Sequence, residues 1–148
     1  MEGVTENPNG SNKGKEVNKF LQSVNLSPGN QWCVAFCQWA YRSAAKQISV
    51  NFNLVKSGHS LTVLAYAKQQ GFFILNNLKR GDLVIFQRGE TNKGHCGMLL
   101  SSVDNKLYTI EGNVTADDKT QGVFKKIRRL DNFGWLHIIG FIGFEESH

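Results

Sequence analysis

The sequence has no long apolar run and few cysteines. No stretch reaches about 18 consecutive apolar residues, the length that indicates a membrane-spanning helix, so we expect no membrane insertion. The chain begins Met1-Glu2-Gly3-Val4, without the basic and then apolar order of a secretory signal. Its three cysteines, Cys33, Cys37 and Cys96, are an odd number, which argues against a complete set of disulfides and leaves room for a reactive thiol.

The 148 residues are 41% hydrophobic and 20% charged, which is typical of a globular protein with a core. We expect one domain over residues 1–148, in which residues 1–12 form a flexible segment or a surface loop. The net charge is +5, with a late basic cluster. Such a cluster favours polyanionic partners, or it is the charged edge strand of a sheet that deters edge pairing: Lys125, Lys126, Arg128 and Arg129.

Hydrophobic periodicity changes once along the chain. Helical spacing precedes Gly71, and compact β-type runs separated by Gly, Asn and Asp follow it. This order predicts an α+β fold in which N-terminal helices pack on an antiparallel sheet. The predicted helices cover 16–24, 32–46 and 61–70, and the predicted strands cover 83–86, 98–103, 107–110, 123–127 and 138–144.

Cys33 is the first candidate for chemistry. It follows the break Ser27-Pro28-Gly29-Asn30 and opens the second predicted helix. Unpaired amide groups and a partial positive charge at a helix N-terminus favour the thiolate, which is the nucleophilic form. On position alone, an ordinary buried cysteine is the competing interpretation.

His95 and two later residues could complete a catalytic set. His95 lies in Gly94-His95-Cys96-Gly97, and glycines beside a histidine leave space around a general base. Glu111 ends a predicted strand and Asn113 lies two residues further on. Either side chain could hold the imidazole in the correct tautomer, as the third member of a triad does.

Together these segments resemble the CHAP domain, a cysteine- and histidine-dependent amidohydrolase or peptidase of the papain-like superfamily. The order of the motifs carries the resemblance, which covers roughly residues 13 to 144. The matching segments are Asn18-Lys19-Phe20-Leu21, Gly29-Asn30-Gln31-Trp32-Cys33-Val34-Ala35-Phe36, Gly81-Asp82-Leu83-Val84-Ile85-Phe86, Gly94-His95-Cys96-Gly97 and Glu111-Gly112-Asn113. Gly122-Val123 and Gly140-Phe141-Ile142 resemble the closing strands of the family.

The resemblance implies that Cys33 attacks an amide carbonyl, that His95 takes its proton, and that Glu111, with Asn113 nearby, orients His95. The implied substrate is bacterial peptidoglycan, cleaved within its peptide or at the sugar–peptide amide. The backbone amide of Cys33, with Gln31 or Asn30, is a candidate donor to the oxyanion. We expect Asn30, Gln31 and Trp32 to bind substrate.

The chain departs from the family pattern in two places. Gln31 stands where proline is common, and Cys96 stands where valine is frequent. Some members bind calcium through an acidic loop before the cysteine, but residues 7–13 carry no carboxylate. Since calcium sites normally include carboxylates, we expect no calcium site of that type, and no cofactor.

Three other functions compete with hydrolysis. Cys33, Cys37, His95 and Cys96 could bind zinc, although neighbouring strand residues point to opposite faces. The same fold could be a catalytically silent module that binds cell wall or protein. Nucleic-acid binding has only the net charge in its favour, because the signatures of such proteins are missing.

The remaining expectations concern context. His59 and His137 are interpreted as structural. We expect a monomer that acts on the bacterial cell wall, in the periplasm or outside the cell, although no signal peptide is visible. If the protein were a toxin used against other bacteria, an immunity protein should block its cleft.

Overall fold

The computed structural model describes residues 2–49, 52, 54–131 and 134–144. Three helices precede six strands, and the short strand β1 directly follows the last helix. The elements are α1 (Lys15–Gln22), α2 (Cys33–Gln47), α3 (Ser60–Gln70), β1 (Phe73–Ile74), β2 (Leu83–Arg88), β3 (Gly94–Val103), β4 (Lys106–Thr115), β5 (Gln121–Arg129) and β6 (Leu136–Ile142).

The six strands form one sheet in the order β1-β6-β2-β3-β4-β5, and every pairing is antiparallel. The helices pack on one face of this sheet, with α2 against β3 and β4 and α3 against β2, β3 and β6. The predicted α+β architecture of a papain-like domain is therefore confirmed. In the described part of the chain, no helix has the length and apolar character that crossing a bilayer requires.

The three helices match the predicted positions to within two residues. The apolar residues Val17, Phe20 and Leu21 of α1 are completely buried, as their helical spacing requires. The third helix ends at Gly71, which adopts the left-handed conformation (φ 82°) that glycine accommodates without steric cost.

Strand boundaries differ more from the prediction. Strand β3 begins at Gly94 rather than Met98, because the Gly-His-Cys-Gly segment pairs with β2 from Gln87 to Val84. Two-residue β1 was not predicted, since so short a run carries no periodicity. Gly94 and Gly97 of the Gly-His-Cys-Gly segment weaken the strand pattern of the sequence. Each glycine lies against another residue's side chain, which occupies the space that a side chain at the glycine would need.

The N-terminal segment is ordered against the sheet and covers part of its outer edge. Gly3 donates its amide to the Val123 carbonyl, and Val123 donates to Val4. Part of edge strand β5 is thus paired rather than exposed. The expectation for residues 1–12 stays a prediction, and within them Gly3, Val4 and Glu6 bond the backbone of β5.

Glu6 fixes this loop to the start of α2. Its carboxylate is buried and accepts hydrogen bonds from Trp32 Nε1 at 2.8 Å and from the Asn12 amide at 3.1 Å. A buried donor that loses its acceptor costs free energy. The hydrogen bonds of Glu6 therefore hold the N-terminal loop and Trp32 in fixed positions relative to each other.

Replacing Glu6 by alanine should therefore destabilise the protein. The buried Trp32 N–H loses its acceptor, and we expect the free energy of unfolding to fall by about 1–3 kcal/mol, measured by urea denaturation. The matched control is Glu16→Ala, which removes a partly exposed carboxylate whose Lys19 partner lies 3.5 Å away, and this should cost less than about 1 kcal/mol. Equal losses from the two variants would contradict the anchoring role.

Candidate active site

Cys33 occupies the first residue of α2, and the side chain before it fixes that position. Trp32 is completely buried, stacks on Phe20 with ring centroids 5.7 Å apart, and donates to Glu6. The expectation that Trp32 binds substrate is corrected here, because a side chain with no exposed surface cannot line a cleft. Trp32 instead supports the helix start from which Cys33 projects.

His95 lies on β3 directly opposite Phe86 of β2, and the two rings pack with centroids 5.6 Å apart. Only 2% of His95 and 5% of Cys33 are exposed. The imidazole lies beside the Cys33 thiol on one side, close enough for the two groups to shift each other's pKa, and its Nε2 lies 2.7 Å from Glu111 Oε1 on the other. Since Nε2 is engaged by Glu111, Nδ1 is the nitrogen left for the sulfur.

Glu111 is fully buried, and donors surround its carboxylate. Besides His95, Thr109 Oγ1 donates at 2.5 Å and Arg128 donates twice, from Nε at 2.9 Å and from Nη2 at 2.5 Å. Such charge-assisted and bidentate bonds are the strong ones in proteins. The carboxylate is therefore held in one orientation from three directions.

Gly97 provides the space that Glu111 needs. A β-carbon at position 97 would lie 2.6 Å from Glu111 Cγ, closer than real β-carbons approach any neighbour. Any side chain at this position would push the carboxylate away from His95. The second glycine of the Gly-His-Cys-Gly motif is thus explained by the site and not by backbone conformation.

The charges of the site stabilise one another. Burial raises the pKa of Glu111, but the hydrogen bonds from Arg128 and His95 outweigh it and lower that pKa to about 2. Burial likewise lowers the pKa of His95, but the bonds to Cys33 and Glu111 and their negative charges raise it to about 9. Glu111 is therefore ionised and His95 protonated at neutral pH.

Cys33 responds in the complementary direction. Burial opposes its ionisation, yet hydrogen bonds from His95, Ser60 and the Cys96 backbone amide, together with the imidazolium charge, hold its pKa below the usual value. Ser60, the first residue of α3, brings its hydroxyl to 3.7 Å from the sulfur. The arrangement favours a thiolate–imidazolium pair, in which the cysteine has the form that attacks a carbonyl carbon.

Asn113 is not brought to His95 by any described contact. Its Nδ2 donates to Gln31 Oε1, which lies before Cys33. A β-bulge between Glu111 and Val114 and a positive φ of 60° at Asn113 turn its side chain toward that neighbour. Asn30 is exposed and donates Nδ2 to the Ser27 carbonyl at 2.9 Å, which closes the turn before α2.

The four proposed zinc ligands separate into two pairs. Cys37 and Cys96 lie on the helical side, with sulfurs 3.5 Å apart, whereas Cys33 pairs with His95. The bond to Cys37 and burial raise the pKa of Cys96, so that it remains a neutral thiol. Among residues 2–49, 52, 54–131 and 134–144, no group of three or more His, Cys, Asp or Glu side chains is arranged to hold a metal ion.

Sequence analysis missed Arg128, Ser60 and Thr109 as site residues. Arg128 belonged to a cluster interpreted as surface charge, but it contacts Glu111 and lies 5.2 Å above the Phe86 ring. Alternation along β5 offered one signal, because Arg128 shares its sheet face with Phe124, the residue paired with Glu111. Ser60 and Thr109 gave no comparable signal.

The other basic residues of the late cluster have local partners. Arg129 pairs with Asp131, Lys125 with Glu2, and Lys126 donates to the Thr115 carbonyl. His59 caps α3 by accepting from the Thr62 amide, and its Nε2 donates to the Asn92 carbonyl at 2.6 Å. His137 lies in β6 opposite Gln87. These placements fit the structural roles expected of both histidines.

Comparison with known protein families places this geometry in context. Residues 25–113 match the family model described as CHAP domain, and this segment contains Cys33, His95, Glu111 and Asn113. No curated protein matches the chain significantly. CHAP domains are typically cysteine- and histidine-dependent amidohydrolases of the peptidoglycan-hydrolase type.

Glu111 and Asn113 can be distinguished as the partner of His95. In Glu111→Gln the imidazolium loses the negative charge 2.7 Å away, so the pKa of His95 should fall from about 9 toward its usual 6.5. An NMR titration of the His95 ring protons measures this change. Asn113→Ala is the matched control and should leave that pKa near 9. A fall in Asn113→Ala alone would reverse the assignment.

Proposed function

Because the chain belongs to the CHAP domain family, we propose that it is a cysteine amidohydrolase or peptidase that cleaves an amide bond of peptidoglycan. The coarse activity follows from the family. The identity of the catalytic residues is our proposal, and one observation carries it: the buried contact of Cys33 with a histidine whose other nitrogen is held by an ionised carboxylate.

In the first half of the proposed reaction, Cys33 Sγ attacks the carbonyl carbon of the amide as a thiolate. The carbon becomes tetrahedral and its oxygen becomes an oxyanion. His95 then donates its proton from Nδ1 to the amine nitrogen, the C–N bond breaks and the amine leaves. A thioester joins Cys33 to the acyl part of the substrate, and His95 is neutral.

In the second half, neutral His95 accepts a proton from water, and the hydroxide adds to the thioester carbonyl. Collapse of the tetrahedral intermediate breaks the C–S bond, releases the carboxylic acid product and restores the thiolate and the imidazolium. Glu111 stays ionised throughout. Its role is to hold Nε2–H and thereby keep Nδ1 directed at the sulfur, as the acid of a triad does.

The oxyanion needs hydrogen-bond donors placed where its charge develops. The Cys33 backbone amide lies at the first residue of α2, where an intrahelical acceptor is lacking. Gln31 is the better of the two side-chain candidates. Its oxygen accepts from Asn113, which leaves its Nε2 to donate, whereas the Asn30 amide nitrogen already donates to Ser27. We assign Asn113 the role of positioning Gln31.

The site of action follows from the substrate. Peptidoglycan lies outside the cytoplasmic membrane, so we propose action in the periplasm or outside the cell. The net charge of +5 favours approach to an anionic wall, although several of the late basic residues are locally paired.

Substitution of the pair should abolish hydrolysis. Cys33→Ser and His95→Ala should each reduce release of soluble fragments from purified peptidoglycan by about a thousandfold or more, because each removes a reacting group. Cys37→Ser and His137→Ala are the matched controls and should keep most of the activity. If Cys33→Ser is as active as wild type, the nucleophile is wrongly assigned.

The same assay separates the enzyme from a catalytically silent binding module. Wild-type protein that sediments with peptidoglycan but releases no fragment would favour the module. Mass spectrometry of released fragments distinguishes an endopeptidase, which exposes new peptide amines, from an amidase, which separates the peptide from the sugar.

The pH dependence of kcat/KM should show a broad maximum. Falling pH protonates the Cys33 thiolate, and because its pKa is lowered, activity should persist below the usual pKa of a thiol. Rising pH removes the His95 proton near pH 9, so the leaving amine loses its proton donor and activity falls. A maximum confined to the region above pH 9 would contradict a preformed ion pair.

A further inference from the structure

Ser60 is the one hydroxyl beside the nucleophile among the described contacts, and the mechanism above gives it no role. Its side chain is buried, and its Oγ lies 3.7 Å from Cys33 Sγ, within hydrogen-bonding range for sulfur. Ser60 starts α3, so it reaches the sulfur from a different helix than the one that carries Cys33.

Several contacts hold Ser60 in this position. The preceding residue, His59, caps α3 and bonds the Asn92 carbonyl of the β2–β3 loop at 2.6 Å. On the strand side, a β-carbon at Gly94 would lie 3.1 Å from Ser60 Cβ. The first glycine of the Gly-His-Cys-Gly motif therefore leaves the space that the Ser60 side chain fills. The cap on one side and the strand on the other therefore limit where the Ser60 side chain can lie.

The direction of the hydrogen bond follows from the protons available. In the thiolate–imidazolium pair that the site favours, the proton lies on the imidazole and the sulfur has none to donate. The hydroxyl must then be the donor. The sulfur thus accepts from three directions: the imidazole, the Cys96 backbone amide and Ser60.

We propose that Ser60 is a further catalytic residue, whose hydroxyl donates a hydrogen bond to the Cys33 sulfur and stabilises its thiolate. The part that Ser60 plays in hydrolysis rests on the proposed function. Its effect on the ionisation of the Cys33 thiol does not. During acylation the sulfur loses its charge to the tetrahedral intermediate, and when the C–S bond breaks the charge returns. Ser60 stabilises the leaving thiolate in that last step.

Ser60→Ala removes this one oxygen. The thiolate midpoint of Cys33, followed by ultraviolet absorbance and by the pH profile of iodoacetamide alkylation, should move to higher pH. Alkylation of Cys33 should slow about tenfold below the wild-type midpoint and be unchanged or faster well above it, as the loss of a charge-assisted bond predicts. Mass spectrometry of the labelled peptide distinguishes Cys33 from Cys37 and Cys96.

Ser57→Ala is the matched control. Ser57 Oγ accepts from the His59 amide at 3.1 Å, so this variant also removes a hydroxyl from the approach to α3 without touching the sulfur. Its Cys33 midpoint should equal that of wild type. An equal shift in both variants, or none in Ser60→Ala, would overturn the proposal. Ser60→Thr keeps the donor and should retain a midpoint nearer to wild type than Ser60→Ala does.

Hydrolysis separates this proposal from the one on which it rests. If wild-type protein cleaves no peptidoglycan, the proposed function fails, while the thiol measurements still decide whether Ser60 stabilises the thiolate. If wild-type protein is active, kcat/KM of Ser60→Ala should fall about tenfold below the wild-type thiolate midpoint and recover well above it. An unchanged kcat/KM below that midpoint would overturn the catalytic role.

Discussion

The ionised Glu111 carboxylate is the group on which the site depends. An isolated buried carboxylate is costly, and this one has no exposed surface. It is tolerated because Arg128, Thr109 and His95 donate to it, and the same bonds keep His95 protonated. A protonated His95 in turn stabilises the Cys33 thiolate. The charges alternate in sign and sum to zero, so the cluster can remain buried.

Close packing at small residues makes this cluster geometrically possible. Gly97 admits the Glu111 side chain, and a β-carbon at Gly112 would lie 2.8 Å from both Trp32 and Phe36. Gly97 leaves room for the carboxylate beside the imidazole. Gly112 lets β4 approach the start of α2, where Cys33 lies. The active site is thus assembled by backbone approach between strand and helix as much as by the reacting side chains.

Sequence reasoning recovered the elements with strong periodicity and the residues with motif context. The helices follow from apolar spacing. The order of the family pattern singles out Cys33, His95 and Glu111, which the structure brings together, and their catalytic roles stay a prediction. Arg128 could not be separated from its basic neighbours, because only pairing of β5 with β4 shows which residue faces Glu111. Trp32 was misassigned because an aromatic residue beside a nucleophile fits both a cleft and a core.

Burial of the pair also restricts how a substrate can be bound. Only 5% of Cys33 is exposed, so little of the residue is open to solvent. The hydrogen-bonded pair of Gln31 and Asn113 lies near one end of α2, and the contact of His59 with Asn92 lies beside Ser60. Low water access then strengthens the electrostatic interactions that keep the thiolate reactive.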